Sequence, residues 1–233
     1  MCDAFREIMS DQFVFVKTIS QSARKTAVVL RHKASGTQIV QIRCQGNADV
    51  YKALQKIRHP NLPAVYSVTE QKDCVEVIEA YIPGLTVAQV LQTGLYTEDG
   101  TRAVVRELCS ALDALHAARI IHRDIKPENV MIDTSGNVCL IDYDAARFYK
   151  PYQTQDTSFI GTVGFAAPEQ YGFKQTDPRS DIFALGVLMN VMLTGEHPTK
   201  SLYAGKLRRV IETCIQIDPN RRYGSARDLF HVL

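Results

Sequence analysis

The sequence predicts an α+β protein in which a small, sheet-rich lobe is followed by a larger, mainly helical lobe. Up to about residue 82 the apolar residues fall in short β-branched stretches broken by polar turns, which is typical of an antiparallel sheet. Beyond that point they recur at intervals of three and four residues, the period of amphipathic helices. The chain has 233 residues, of which 45% are hydrophobic, enough for a sizeable core. We predict one bilobal domain with lobes over 1–82 and 83–233, and a ligand cleft between them.

The first lobe is expected to contain five short strands and one short helix. The predicted strands cover 13–16, 27–31, 38–43, 64–68 and 74–78. Between the third and fourth strands, residues 49–57 carry apolar side chains at helical spacing. His59-Pro60 should end this helix, because proline disfavours helical backbone in the residue before it.

The second lobe is expected to contain helices, one hairpin and one long polar segment. The predicted helices cover 87–92, 102–117, 181–193 and 203–216. Two strand-like stretches, 130–132 and 138–141, flank a polar turn and predict a hairpin. Residues 143–168 are polar and irregular, a kind of segment that is usually functional or disordered.

Composition excludes several classes of protein. The chain carries 27 Lys and Arg against 25 Asp and Glu, a balance that does not indicate a nucleic-acid or membrane-surface partner. The six cysteines are scattered, which suits thiols in a reducing compartment. The N-terminus is too polar for a secretory signal, and the apolar run 182–193 is too short to cross a bilayer. We therefore expect a cytoplasmic protein with no membrane segment and no nucleic-acid partner.

The residues most suited to chemistry cluster between the long helix and the hairpin, and directly after it. Residues 122–129 read His-Arg-Asp-Ile-Lys-Pro-Glu-Asn, and Asp142 follows the second strand of the hairpin. A carboxylate and an amide oxygen are hard ligands suited to Mg²⁺, and a second carboxylate could accept a proton from a hydroxyl. A lysine could neutralise a phosphoryl group during transfer. For any single member, a purely structural role in caps and salt bridges is equally reasonable.

These motifs resemble the eukaryotic-like Ser/Thr protein kinases of bacteria, in a divergent and minimal form. The matching segments are the catalytic loop HRDxKxxN over 122–129, Asp142-Tyr143-Asp144 in place of DFG, Ala167-Pro168-Glu169 as APE, the central-helix aspartate Asp181, the arginine Arg222 and the HPN turn at 59–61. They follow one another in the family's order over essentially the whole chain. The resemblance implies a bilobal kinase fold and ATP as cofactor with Mg²⁺, or alternatively Mn²⁺. It also implies a protein substrate with a Ser or Thr hydroxyl, which could be the chain itself.

The resemblance also implies a role for each catalytic residue. Asp124 would orient the acceptor hydroxyl or accept its proton, and Lys126 would contact the γ-phosphate. Asn129 and Asp142 would hold the metal ion, while Thr162 would help to receive the acceptor residue. Further members would pair with a phosphorylated loop or act as supports: Arg123 with Thr154, Thr157 or Ser158, Glu169 with Arg222, and Asp181 with the catalytic-loop backbone.

The first lobe departs from the family where it should cover the nucleotide. The glycine-rich loop aligns with residues 20–27, which contain no glycine. Ser20 and Ser22 could offer hydroxyl donors, and Arg24 or Lys25 could supply a charge. Ala27 is a further candidate nucleotide-binding residue in this segment. A plain hairpin turn is equally reasonable. Arg43 stands at the position of the family's third-strand lysine. Its planar guanidinium fork does not replace the point charge of an ammonium group. Gln41 would lie over adenine, where a buried amide needs a partner.

Other nucleotide-binding positions are also altered. The helix glutamate of the family aligns with Val50, so the neighbouring Asp49 is the nearest acidic candidate to pair with Arg43. Glu79 aligns with the gatekeeper position and Tyr81 with the hinge, and Met131 is a further candidate nucleotide-binding residue. Asp144 replaces the DFG glycine, where it could bind a second cation or cap the turn. Three functions therefore remain open: an active kinase, which we favour, a pseudokinase acting as a binding or scaffolding module, and, less favoured, a small-molecule phosphotransferase.

Overall fold

The computed structural model describes residues 11–45, 48–71, 74–150, 164–171 and 176–233. Internal contacts divide the chain into two compact units. The first contains the described residues up to Arg58 together with Pro63–Tyr81, and the second contains His59–Leu62 and Ile82–Leu233. The chain therefore passes into the second unit briefly at the HPN turn before it leaves the first unit for good at Tyr81.

The first unit is an antiparallel sheet with strand order β1-β2-β3-β5-β4. Its strands are β1 (Phe13–Gln21), β2 (Lys25–His32), β3 (Gln38–Cys44), β4 (Val65–Glu70) and β5 (Val75–Ala80). Alternation places Val29, Ile42 and Val77 in the core, because successive side chains of a strand point to opposite faces. β1 is longer than the predicted 13–16, since its polar second half still pairs with β2 as far as Gln21.

One helix, α1 (Ala48–Leu54), lies between β3 and β4 and buries Val50, Tyr51 and Leu54. It ends three residues before the predicted 57. The amides of Lys56 and Ile57 donate to carbonyls three residues back, at 3.0 Å each, so the chain tightens into a turn instead of continuing the helix.

The described secondary structure of the second unit is mainly helical. Its helices are α2 (Val87–Leu91), α3 (Glu98–Ala117), α4 (Arg179–Thr194), α5 (Arg208–Cys214) and α6 (Ala226–Val232). α3 begins at Glu98, four residues before the predicted start, because the Thr97 side chain accepts from Gly100 N at 3.1 Å and caps the helix. α4 is apolar on nearly all sides and is buried accordingly.

The predicted helix over 203–216 is helical only from Arg208. The backbone N–H of Tyr203 donates to Asn190 Oδ1 at 2.9 Å, and that of Leu207 donates to Glu98 Oε1 at 3.4 Å. Because these amides bind side chains of α4 and α3, the segment between them runs irregularly.

Short strands flank the loop over residues 122–129 of the second unit. β6 (Gly84–Thr86), β8 (Val130–Asp133) and β9 (Val138–Leu140) form one sheet, and β7 (Ile120–Ile121) pairs with β10 (Arg147–Phe148). The predicted hairpin is β8 with β9. Gly84 is required in β6, because a Cβ there would collide with the Ile132 carbonyl oxygen. Among the described residues, no helix is both long and apolar enough to cross a membrane.

Candidate active site

Three of the predicted catalytic side chains meet in the loop between β7 and β8. Asn129 Nδ2 donates to Asp124 Oδ2 at 2.9 Å and to the Asp124 carbonyl at 2.8 Å. Lys126 Nζ lies 2.8 Å from the same Asp124 Oδ2. One carboxylate oxygen therefore receives both an amide and an ammonium group, and the three residues form a single cluster.

The orientation of the Asn129 amide follows from its partners. Both atoms facing its nitrogen are acceptors, so the NH₂ group must point towards Asp124 and the amide oxygen away from it. Among the described residues, none donates a hydrogen bond to Asn129 Oδ1. This oxygen is suited to a hard cation such as Mg²⁺.

Asp142 follows β9 and is connected to Asn129 through the backbone, because Ile141 N donates to the Asn129 carbonyl at 2.9 Å. Asp142 adopts φ 69°, the left-handed region, which a non-glycine residue occupies only when its surroundings enforce it. The amide of Asp144 approaches Asp142 Oδ1 at 3.3 Å. Asp144 thus contributes its backbone N–H to the turn.

A buried aspartate of α4 supports the catalytic loop from behind. Asp181 accepts from His122 N at 3.0 Å, from Arg123 N at 2.8 Å and from His116 Nε2 at 2.8 Å. Burial acts to raise the pKa of Asp181, but the hydrogen bond from His116 and the nearby imidazole and backbone donors hold this pKa below its ordinary value. The predicted contact of Asp181 with the loop backbone is present.

His122 is fully buried, and burial lowers the pKa of its imidazole despite the carboxylates of Asp181, Asp124 and Asp142 nearby. Its Nε2 faces the Ile141 carbonyl at 3.2 Å, and its Nδ1 accepts from Asp124 N at 3.4 Å. These partners require a neutral ring protonated at Nε2. His122 therefore joins the catalytic loop to the end of β9.

The segment that contains Ala167-Pro168-Glu169 is fixed from several sides. Glu169 pairs with Arg222 and also accepts from Ser180 Oγ at 2.7 Å. His197 Nε2 donates to the Gly164 carbonyl at 2.8 Å. Gly164 has φ 96°, which favours glycine. The predicted pairing of Glu169 with Arg222 is present, and the contacts of Ser180 and His197 were not foreseen.

In the first unit, the residues aligned with the glycine-rich loop form a tight hairpin. Ser22 Oγ accepts from Lys25 N at 3.1 Å and from Arg24 N at 3.3 Å, and Ser22 N donates to the Lys25 carbonyl at 2.7 Å. Ser20 and Ala27 face each other across the strand pair. The Ser22 hydroxyl thus accepts hydrogen bonds that close the turn, as expected for a plain hairpin.

Arg43 lies opposite Glu76 in the pairing of β3 with β5, and Arg43 Nε is 3.5 Å from Glu76 Oε2. The predicted partner, Asp49, lies 4.0 Å from Lys52 instead. Val50, at the position of the family's helix glutamate, is completely buried. Glu76 was missed because its pairing depends on strand register, which no local motif encodes.

The remaining predicted positions are located as follows. Gln41 is half-buried opposite Ile78, and Glu79 is buried opposite Val40. Tyr81 is half-buried, with Lys17 Nζ 5.6 Å from its ring centre. Met131 is half-buried in β8 of the second unit. Thr162 and the loop positions Thr154, Thr157 and Ser158 lie outside the described residues.

Comparison with known proteins agrees with this arrangement. The family model described as "Protein kinase domain" matches residues 11–232. Sperm motility kinase 2B of Mus musculus is 31% identical over 95% of this chain and 48% of its own length. The probable serine/threonine-protein kinase PknB of Lactococcus lactis is 31% identical over 73% of this chain and 27% of its own length. The serine/threonine-protein kinase AtPK1/AtPK6 of Arabidopsis thaliana is 30% identical over 74% of this chain and 41% of its own length.

A sheet-rich unit, a helical unit and a loop in which Asn129 and Lys126 converge on Asp124 are typical of the protein kinase class. The chain belongs to the protein kinase family. It spans about half or less of the length of these curated relatives.

Proposed function

We propose that the chain is an active Ser/Thr protein kinase, which transfers the γ-phosphoryl group of ATP to a Ser or Thr hydroxyl with Mg²⁺. The observation that carries this proposal is the convergence of Asn129 Nδ2 and Lys126 Nζ on one oxygen of Asp124, at 2.9 and 2.8 Å. A binding module has no physical need for this set of groups.

Asp124 has the chemistry of the catalytic base. As the acceptor hydroxyl oxygen bonds to the γ-phosphorus, the bond to the β–γ bridging oxygen breaks and ADP leaves. The hydroxyl proton passes to the Asp124 carboxylate, which the Asn129 and Lys126 bonds hold in place. The Lys126 ammonium would offset the charge on the transferred group.

The oxygen donors of the second unit fit a divalent cation. Asn129 Oδ1 and the Asp142 carboxylate would hold Mg²⁺, with Mn²⁺ as the alternative, and the ion supplies charge neutralisation for the phosphate oxygens. The fit rests on the Asn129 amide, whose nitrogen is already bonded to Asp124 and whose oxygen is the remaining acceptor.

Specificity for Ser or Thr is supported by Lys126, which the Ser/Thr members of the family carry at this position. The names of two relatives include serine/threonine-protein kinase. We assign the acceptor-binding role of Thr162 on the motif alone. The proposed protein substrates include the chain itself.

A pseudokinase is the second candidate, and particular observations in the first unit favour it. Ser22 closes a hairpin where the family has glycines, Arg43 stands where the family has a lysine, and the buried Val50 replaces a glutamate. Each change weakens an interaction that the family uses to hold ATP. The two candidates differ in turnover and agree in fold.

The test measures nucleotide binding and transfer separately. The melting temperature is measured with ATP, with and without Mg²⁺, and transfer of labelled phosphate to the chain itself or to a basic protein is followed. We expect a Mg²⁺-dependent stabilisation and a transfer signal that Asp124→Asn reduces by about 10² to 10⁴-fold. Asp113→Asn, which removes a surface carboxylate paired with Arg227, should leave transfer unchanged.

A nucleotide-dependent shift without transfer by the wild type would favour the pseudokinase. Absence of both the shift and transfer would exclude the kinase proposal. Equal transfer by wild type and Asp124→Asn would exclude Asp124 as the base.

A further inference from the structure

Gln170 lies in the short 3₁₀ turn Pro168–Tyr171 and joins it to the catalytic loop. Its side-chain Nε2 donates to the Arg123 carbonyl at 3.0 Å, and its Oε1 accepts from Ala167 N at 3.1 Å. The amide orientation is fixed, because one end faces an acceptor and the other faces a donor. Gln170 is only 1% exposed, so neither partner would gain water as a substitute if the side chain were removed.

Arg123 is held at both of its backbone polar groups. Its N–H donates to Asp181 Oδ1 at 2.8 Å, and its carbonyl accepts from Gln170. The residue adopts φ 68°, in the left-handed region. Such a conformation is unfavourable in a non-glycine residue and persists only when the surroundings determine it. Asp181 and Gln170, which belong to two different segments, hold Arg123 in this conformation.

The Arg123 carbonyl and the Asp124 N–H belong to one planar peptide group. Gln170 binds the carbonyl edge of this plane, and His122 Nδ1 accepts from the N–H edge at 3.4 Å. The next atom along the chain is the Cα of Asp124. A rotation of this plane would therefore displace the carboxylate that Asn129 and Lys126 share.

We infer that Gln170 is a positioning residue for the catalytic aspartate, because its side-chain amide fixes the peptide between Arg123 and Asp124. This inference rests on the proposed kinase function for its effect on turnover, and on geometry alone for its effect on the loop. Gln170 acts through Arg123 and touches neither the acceptor nor ATP in this proposal.

The near-isosteric Gln170→Glu variant tests the inference. Its ionised carboxylate can still accept from Ala167 N, but it repels the Arg123 carbonyl. We expect kcat to fall by about 10 to 100-fold near pH 8, the loss typical of a small misplacement, with little change in the KM for ATP or acceptor. A protonated carboxyl can donate to the Arg123 carbonyl as the amide does, and burial raises the pKa of such a group. The ratio of variant to wild-type kcat should therefore recover as the pH falls towards about 6.

Amide hydrogen exchange gives a second measurement that does not need turnover. In Gln170→Glu near pH 8 we expect the Asp124 amide to exchange faster while the Ala167 amide keeps its protection. In Gln170→Met, which has neither donor nor acceptor, both amides should exchange faster. Ser180→Ala removes a hydrogen bond to the neighbouring Glu169 and is the matched control. It should lower the melting temperature without changing kcat or Asp124 exchange.

The outcomes separate this inference from the proposed function. If the wild type transfers phosphate and both Gln170→Glu and Gln170→Met match it in kcat and in Asp124 exchange from about pH 8 to about pH 6, the inference is wrong. If the wild type does not transfer phosphate, the proposed function fails, and the exchange of the Asp124 amide still decides whether Gln170 holds the loop. The positioning role would also be overturned if Gln170→Glu and Ser180→Ala lowered kcat by the same factor and that factor did not change with pH.

Discussion

Arg222 and Glu169 form a buried, two-bonded ion pair in the second unit. Arg222 Nη1 lies 2.7 Å from Glu169 Oε1, and Nη2 lies 2.8 Å from Oε2. The arginine side chain is completely buried and the glutamate side chain is 4% exposed. The remaining N–H groups of Arg222 donate to the carbonyls of Gln216, Arg179 and Ile217, at 2.7 to 3.1 Å. Every donor of the guanidinium fork is therefore used, which a lysine cannot reproduce.

Arg222→Lys should therefore destabilise the protein almost as much as Arg222→Ala. We expect each to lower the free energy of unfolding by about 3–5 kcal/mol, because each leaves the Glu169 carboxylate poorly paired in the interior. The double variant Glu169→Leu with Arg222→Met should lose less than the sum of the single losses, since it leaves no buried charge. Urea unfolding measures these differences, and a loss below about 0.5 kcal/mol for Arg222→Lys would contradict the prediction.

Acidification should destabilise the protein first through its histidines. Burial lowers the pKa of both His122 and His59 below the ordinary 6.5. The unfolded chain therefore takes up protons below about pH 6.5 that the folded chain does not, so the free energy of unfolding falls as the pH drops. The lowered pKa of Asp181 has its effect only below its ordinary 3.8, outside this window.

The measurement is chemical denaturation at a series of pH values from about 7.5 to about 5. We expect His122→Gln to flatten the slope of stability against pH, because it removes the most deeply buried imidazole. His59→Gln, which replaces a half-buried imidazole near Ser110, should flatten the slope less. A stability that rises as the pH falls from 6.5 would show the sign to be wrong.

Gly186 is fixed by the close approach of α4 to α5. A Cβ at this position would lie 2.5 Å from Cys214 Cβ and 2.8 Å from Ile215 Cγ2. Alanine in a helix interior gains about 0.5–1 kcal/mol over glycine, but overpacking a buried contact costs about 1–3 kcal/mol. The clash should win, so Gly186→Ala is expected to lower the free energy of unfolding by about 1–2 kcal/mol. Gly94→Ala, with open space around the new Cβ, is the control and should be nearly neutral in thermal unfolding. If Gly186→Ala stabilises the protein, α5 moves away from α4 without a loss of packing energy and the prediction is wrong.

The sequence predicts those parts of the site that are local in the chain. Asp124, Lys126 and Asn129 lie within one short loop, and their residue types alone indicate that they act together. Gln170 bonds a residue 47 positions away, and its partner is a backbone carbonyl that no residue type reveals. The same limit applies to helix starts and ends, where Thr97 and the amide of Tyr203 decide the boundary through hydrogen bonds.

The pairing of Arg43 with Glu76 predicts which carboxylate affects nucleotide affinity. If Arg43 contacts ATP in place of the family's lysine, Glu76 should orient the Arg43 side chain, because Glu76 is 3% exposed and lies opposite Arg43. Arg43 is 45% exposed, so the pair is worth no more than about 0.5–1 kcal/mol. Glu76→Gln should therefore raise the Kd for Mg²⁺-ATP by about 2 to 5-fold, measured by calorimetric titration. Asp49→Asn is the matched control, since the Asp49 side chain is 78% exposed and lies near Lys52. Asp49→Asn should leave the Kd for Mg²⁺-ATP unchanged. If it instead raises the Kd as much as Glu76→Gln does, Asp49 of α1 orients the Arg43 side chain.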